Sequence, residues 1–149
     1  MHKAVIKITS KDGAVIELKN VTHFDVLFDT VQDNVRQKSK GIIPKLVIKG
    51  KFSSGNADEV GNKEGKALFE WSKDFTKDGQ NRKVEVDVYL SEDSIYRSYT
   101  YEEMFIVDYN EHYTSQKATT DGNQASEDTF ELKLSQVENK ISTIDTVAL

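Results

Sequence analysis

The stretch SYTYEEMFIVDYNEHYT, residues 98–114, carries the densest set of aromatic and ionisable side chains in this chain. Neighbouring residues of a β-strand point to opposite faces, so Glu102 diverges from Glu103 and Glu111 diverges from His112. Asp108 shares a face with His112 but lies about 13 Å from it along a strand that rises ~3.3 Å per residue. The stretch therefore predicts a strand in the wall of a β-sheet rather than a catalytic or metal cluster.

Alternation of apolar and polar residues continues on both sides of this stretch and predicts a mainly β chain. Within 104–113, the side chains of Phe105, Val107 and Tyr109 fall on one face and are expected in the core. The other expected strands cover 4–9, 14–18, 22–30, 42–52, 82–90, 95–101 and 128–138. About eight strands at this spacing are typical of a sandwich or a barrel.

One segment departs from this alternation. In KALFEWSKDF, residues 66–75, the side chains of Leu68, Trp71 and Phe75 recur at i, i+3 and i+7. This period predicts a short helix with one apolar stripe. A helix of this length is marginal alone in water, so we expect these three side chains to dock on the sheet.

Three polar segments interrupt the pattern. Residues 31–41 read either as an exposed loop or as a hairpin extension with few apolar contacts, and they contain Arg36, Lys38 and Lys40. Residues 53–65 and 114–126 are expected to be loops because they offer little apolar surface to bury. The last eleven residues are weakly patterned.

Composition narrows the classes of protein. The chain of 149 residues is long enough for one domain over residues 1–149. It has no cysteine and a formal net charge of −5, so disulfides are excluded and no nucleic-acid specificity is expected. No apolar run approaches the ~18 residues of a membrane span, and no signal-peptide h-region is visible, so we expect no membrane insertion.

No motif in the chain supports enzyme chemistry. The segment GNKEGK, residues 61–66, spaces its glycines too closely for a phosphate-binding loop, and the serines lie in no GxSxG sequence. The segment DTVQDNVRQ, residues 29–37, lacks the glycine and the terminal glutamate of a calcium-binding loop. The sequence therefore predicts no catalytic residue, no cofactor and no metal ion.

Four segments in a fixed order resemble a known family. They are KALFEWSKDF (66–75), GQNRKVEVDVYL (79–90), YRSYTYEEMFIVDYNEHYT (96–114) and SEDTFELKLSQVENKI (126–141). This order is similar to that of the haemolysin-coregulated protein family, the inner-tube proteins of type VI secretion, and of their phage tail-tube relatives. The resemblance is strongest over residues 20–141. It departs from the family at the long segments 53–65 and 114–126 and in the C-terminal tail.

The resemblance implies a two-sheet β-barrel with one flanking helix, residues 66–75. Copies of it would form rings, typically of six, that stack into a hollow tube. Its implied partners are other copies, sheath, baseplate or spike proteins, and cargo. Assembly would take place in the cytoplasm, and the machine would export the protein without a signal peptide. We assign ring stacking to Arg36, Lys38 and Lys40 because they are basic in an acidic chain.

Two other classes stay open at the level of sequence. The alternative to a tube subunit is a soluble, secreted binding or cargo-adaptor module with the same β fold, which would be a stable monomer. An enzyme would instead need two carboxylates facing each other in a cleft, within about 10 Å as in glycosidases.

Overall fold

The computed structural model describes residues 3–19, 21–30, 42–52, 61–91, 94–113, 128–137 and 145–148. The chain is mainly β, with a flanking helix, as the sequence pattern predicts. Its strands are β1 (Lys3–Thr9), β2 (Val15–Lys19), β3 (His23–Thr30), β4 (Ile42–Lys51), β5 (Arg82–Ser91), β6 (Ser94–His112), β7 (Thr129–Gln136) and β8 (Asp145–Ala148). Its helices are α1 (Asn62–Lys73) and the single turn α2 (Lys77–Gln80).

The described strands pair antiparallel along one path, β2-β1-β5-β6-β7-β4-β3, and β8 pairs with β6. Strand β6 has 19 residues and serves both halves of this path, because its first half pairs with β5 and its second half with β7. The sequence pattern predicts two strands there, 95–101 and 104–113, but the backbone is continuous. Strands β2 and β3 do not pair with each other, so the sheet formed by the described residues is not closed.

Both halves of the sheet bury their apolar rows in one shared core. The first half contributes Ile6, Ile8, Leu18, Val84 and Val86. The second half contributes Leu46, Ile48, Phe130, Leu132 and Leu134. These side chains follow the alternation of the sequence, since every second residue of a strand faces the same side. One face of each half therefore meets the same interior, and the opposite faces carry the charged side chains.

Helix α1 differs from its predicted bounds, 66–75. It begins at Asn62, inside the segment expected to be a loop, and the Gly61 backbone N–H donates a hydrogen bond of 3.2 Å to the Glu64 carboxylate. It ends at Lys73, because Asp74 has an extended backbone and its side chain accepts hydrogen bonds from the N–H and the hydroxyl of Thr76. Acceptors at this point compete with continuation of the helix.

The docking stripe of the helix is correspondingly shorter than expected. Leu68 and Trp71 are buried, with 0% and 1% of their surface exposed. Phe75, expected on the same stripe, is 89% exposed. The reason is that the helical period no longer applies beyond Lys73, so the i+7 position does not return to the sheet. Trp71 is held further by an N–H bond of 2.9 Å to the Gln80 carbonyl oxygen.

Candidate assembly surfaces

Strand β6 contains most of the stretch 98–114 and forms part of the wall, but within that stretch its alternation is broken twice. Between Tyr101 and Met104 the β6 strand has one residue more than β5 opposite it, and a second register shift against β7 lies between Ile106 and Asp108. Such β-bulges re-aim the side chains that follow them. Tyr101 and Met104 are therefore both buried. Val107 is 58% exposed, so the prediction that it belongs to the core is wrong.

Three tyrosines of this wall, Tyr101, Tyr109 and Tyr113, have raised pKa values. Burial raises the pKa of Tyr101 to about 12, and its hydroxyl has no hydrogen-bond partner. Burial also raises the pKa of Tyr109, with a further contribution from the charge of Glu111. A hydrogen bond of 2.6 Å to the Glu111 carboxylate raises the pKa of the exposed Tyr113 to about 12. All three hydroxyls stay protonated near pH 7, as structural tyrosines do.

The first bulge also brings Glu102 and Glu103 to one shallow cleft of about 400 Å³, although strict alternation predicts that they diverge. The cleft is lined by Thr9, Ser10, Lys11, Asn81, Lys83, Glu102 and Glu103. Its lysines have partners elsewhere, because Lys11 lies 3.2 Å from Asp78 and Lys83 lies 3.9 Å from Glu85.

Among the described residues, no group of three or more His, Asp or Glu side chains could hold a metal ion. No helix in this part of the chain is long and apolar enough to cross a membrane.

Open strand edges form the first candidate surface for assembly. Strands β2 and β3 end the pairing path, so each leaves one row of backbone N–H and C=O groups unpaired within the described sheet. Such rows readily accept a strand from another chain. Exposed apolar side chains lie on both edge strands: Val15 on β2, and Leu27 and Phe28 on β3.

The C-terminal tail supplies a strand that the sequence pattern does not predict. Strand β8 pairs with residues 97–100 of β6, and the Thr146 hydroxyl donates a hydrogen bond of 2.9 Å to the Ser98 carbonyl oxygen. Residues 97–100 of β6 pair with β5 along one side and with β8 along the other. Strand β7 pairs with the following residues of β6, 104–112, so β8 extends the wall beyond the end of β7.

The outward side of α1 forms a second candidate surface. Lys63, Lys66, Phe69 and Lys73 are exposed on the side opposite Leu68 and Trp71, and Phe75 follows directly after the helix. The Lys73 ammonium lies 5.3 Å from the centroid of the Phe69 ring and 3.3 Å from the Glu70 carboxylate. Sequence reasoning missed this surface because it assigned Phe75 to the core.

The expected ring-stacking residues, Arg36, Lys38 and Lys40, lie outside the described residues, as does the segment 114–126. Their assignment to ring stacking stays a prediction.

Comparison with known proteins relates the chain by structure alone. No protein-family model matches it, and no curated protein matches it by sequence. The Hcp1 protein of E. coli EAEC 042 superposes with a TM-score of 0.58 at 12% identity, over 99% of each chain. The secreted protein Hcp3 of Pseudomonas aeruginosa superposes with a TM-score of 0.56 at 13% identity, over 99% of this chain and 98% of that one.

A chain of the PVC sheath–tube complex, from an extracellular contractile injection system in its extended state, gives a TM-score of 0.55 at 9% identity. The match covers 99% of this chain and 89% of that one. The similarity thus runs from end to end, which confirms the fold implied by the sequence resemblance. The chain has the fold shared by the Hcp proteins and this component of a contractile injection machine.

Proposed function

We propose that the chain is a structural subunit that forms closed rings, most simply of six copies, which stack into the inner tube of a contractile injection or secretion machine. The observation that carries this proposal is the fold match over 99% of both chains to Hcp1. The subunit acts as one domain and not as an enzyme. It is assembled in the cytoplasm and exported by the machine, with sheath, baseplate or spike proteins and cargo as its other partners.

The open edges β2 and β3 supply a physical reason for assembly. A subunit that pairs one edge with the other edge of its neighbour removes two unpaired rows at each contact. Such a head-to-tail contact is heterologous, and it gives a closed ring when its rotation completes a full turn. A ring therefore removes the two open edges at β2 and β3, the ends of the pairing path in the described sheet of the single subunit.

The purified protein is expected to form rings in solution. Light scattering across a dilution series, with negative-stain imaging of the same samples, measures the mass and the symmetry of the particles. Interfaces of a stable ring should bury more than ~1,000 Å² per pair. A protein that stays monomeric at every concentration would contradict the proposal and would favour the binding or cargo-adaptor module.

Stacking of the rings is assigned to Arg36, Lys38 and Lys40. Replacing all three by glutamate is expected to leave rings intact and to prevent tubes, because it removes the attraction between a basic segment and an acidic chain. In the unmodified protein, stacking should weaken as salt rises, since exposed charges are screened over about 10 Å at 0.1 M. Tubes that form equally well after the triple replacement would remove this segment from the mechanism.

A further inference from the structure

The exposed side of α1 carries three lysines against one glutamate, Glu70, and it is also aromatic, although the chain as a whole is acidic. Lys63 and Lys66 have no ion-pair partner among the described residues, and Lys73 is shared between Glu70 and the Phe69 ring. Phe69 is 46% exposed and Phe75 is 89% exposed. A phenylalanine left in water forgoes most of the hydrophobic stabilisation that its burial would contribute. We call this surface, made of Lys63, Lys66, Phe69, Lys73 and Phe75, the helix face.

Strand β6 carries carboxylates beside lysines of the neighbouring strands that already have acidic partners: Lys133, opposite Asp108, lies 3.4 Å from Glu131, and Lys83, beside Glu102, lies 3.9 Å from Glu85. Glu102 and Asp108 are exposed, and neither has an ion-pair partner within the described part of the chain. Val107, exposed by the second bulge, lies beside Asp108. Residues 98–113 contain four carboxylates and no lysine or arginine. We call Glu102, Val107 and Asp108 the acidic strand segment.

The two surfaces complement each other in charge, and each also exposes apolar side chains. We infer that the helix face of one copy docks on the acidic strand segment of a second copy. The inference rests on the proposed self-assembly and names a contact within it besides the strand edges. The contact joins two different surfaces of the same chain, so it is heterologous and repeats from copy to copy around a ring. Opposite charges steer the approach, and desolvation of Phe69 and Phe75 holds the contact.

A charge swap between two variants tests this contact. The helix variant carries Lys63→Glu and Lys66→Glu, and the strand variant carries Glu102→Lys and Asp108→Lys. Each variant alone places like charges across the contact, so the concentration needed for half-assembly should rise about tenfold or more. An equimolar mixture pairs each reversed surface with its reversed complement, so alternating copies should assemble at close to the concentration needed by the unmodified protein.

The matched control is Lys3→Glu with Lys7→Glu, which makes the same change in charge at exposed positions on β1. It should assemble like the unmodified protein, and circular-dichroism melting of every variant checks that it is folded. A second pair of variants isolates the aromatic part of the contact: Phe75→Ser should weaken assembly, whereas Leu90→Ser, at another exposed apolar residue, should not.

The outcomes separate this inference from the proposed function. If the unmodified protein forms no rings, the proposed function fails and the contact fails with it. If it forms rings and both charge variants assemble equally well alone, the contact is wrong while the proposed function stands. If each charge variant fails alone and the mixture also fails, the two surfaces do not meet, and each of them contacts some other surface of a neighbouring copy.

Discussion

Replacing Trp71 by alanine is expected to lower the free energy of unfolding by about 3–5 kcal/mol, the range for truncating a large buried aromatic side chain. Trp71 is buried between α1 and the sheet, its N–H donates to the Gln80 carbonyl oxygen at 2.9 Å, and the Arg82 guanidinium lies 5.1 Å from the centroid of its ring. The alanine variant therefore loses apolar burial, one hydrogen bond and a cation–π contact, and leaves a cavity. Urea unfolding followed by circular dichroism measures the change.

Phe75→Ala is the matched control for this prediction. Phe75 lies four residues after Trp71 in the same sequence pattern but is almost fully exposed, so its removal should change the stability of the single subunit by no more than about 0.5 kcal/mol. Equal losses in the two variants, measured at a protein concentration too low for assembly, would mean that Phe75 docks on the sheet after all. A Trp71→Ala variant that unfolds at the same urea concentration as the parent would mean that α1 contributes little to the fold.

Replacing Gly50 by alanine is expected to destabilise the protein by about 1–3 kcal/mol, the usual cost of overpacking a well-packed site. A Cβ atom on Gly50 would lie 2.6 Å from Cε1 and 2.7 Å from Cζ of the Phe130 ring, which is buried and faces Gly50 across the β4–β7 pairing. The Phe130 ring cannot move freely because it packs against the Phe52 ring, with 5.2 Å between the two ring centroids. The clash should outweigh the ~0.5–1 kcal/mol that alanine gains over glycine in a strand.

A double-mutant cycle separates this clash from any other effect of the substitution. Phe130→Leu removes the ring, so Gly50→Ala should cost less in that background than in the parent, with a coupling energy measurable by urea unfolding. A Gly50→Ala variant that is as stable as the parent would mean that the ring shifts without cost.

Much of this fold follows from local sequence. The alternation in 4–9, 82–90 and 128–138 predicts β1, β5 and β7 with their buried rows. In a strand, odd-numbered and even-numbered residues point to opposite faces, so the position of a residue in the strand sets the direction of its side chain. The period of three to four residues around Leu68 and Trp71 likewise predicts α1. Neither pattern identifies the ends of an element. The predicted bounds of the helix, 66–75, therefore differ from the observed ones, Asn62–Lys73.

The candidate assembly surfaces depended on contacts that no local pattern contains. A β-bulge arises when two strands pair with unequal numbers of residues, so the exposure of Val107 is decided by the register of β6 against β7. Phe75 is exposed because α1 ends just before it, where the Asp74 carboxylate accepts hydrogen bonds from the N–H and the hydroxyl of Thr76. The sequence by itself thus determined most of the strands and the existence of α1, since those depend on near neighbours. Only the tertiary structure decided the strand order, the pairing of β8 with β6 and the helix face, because these depend on hydrogen bonds and packing between residues distant in the chain.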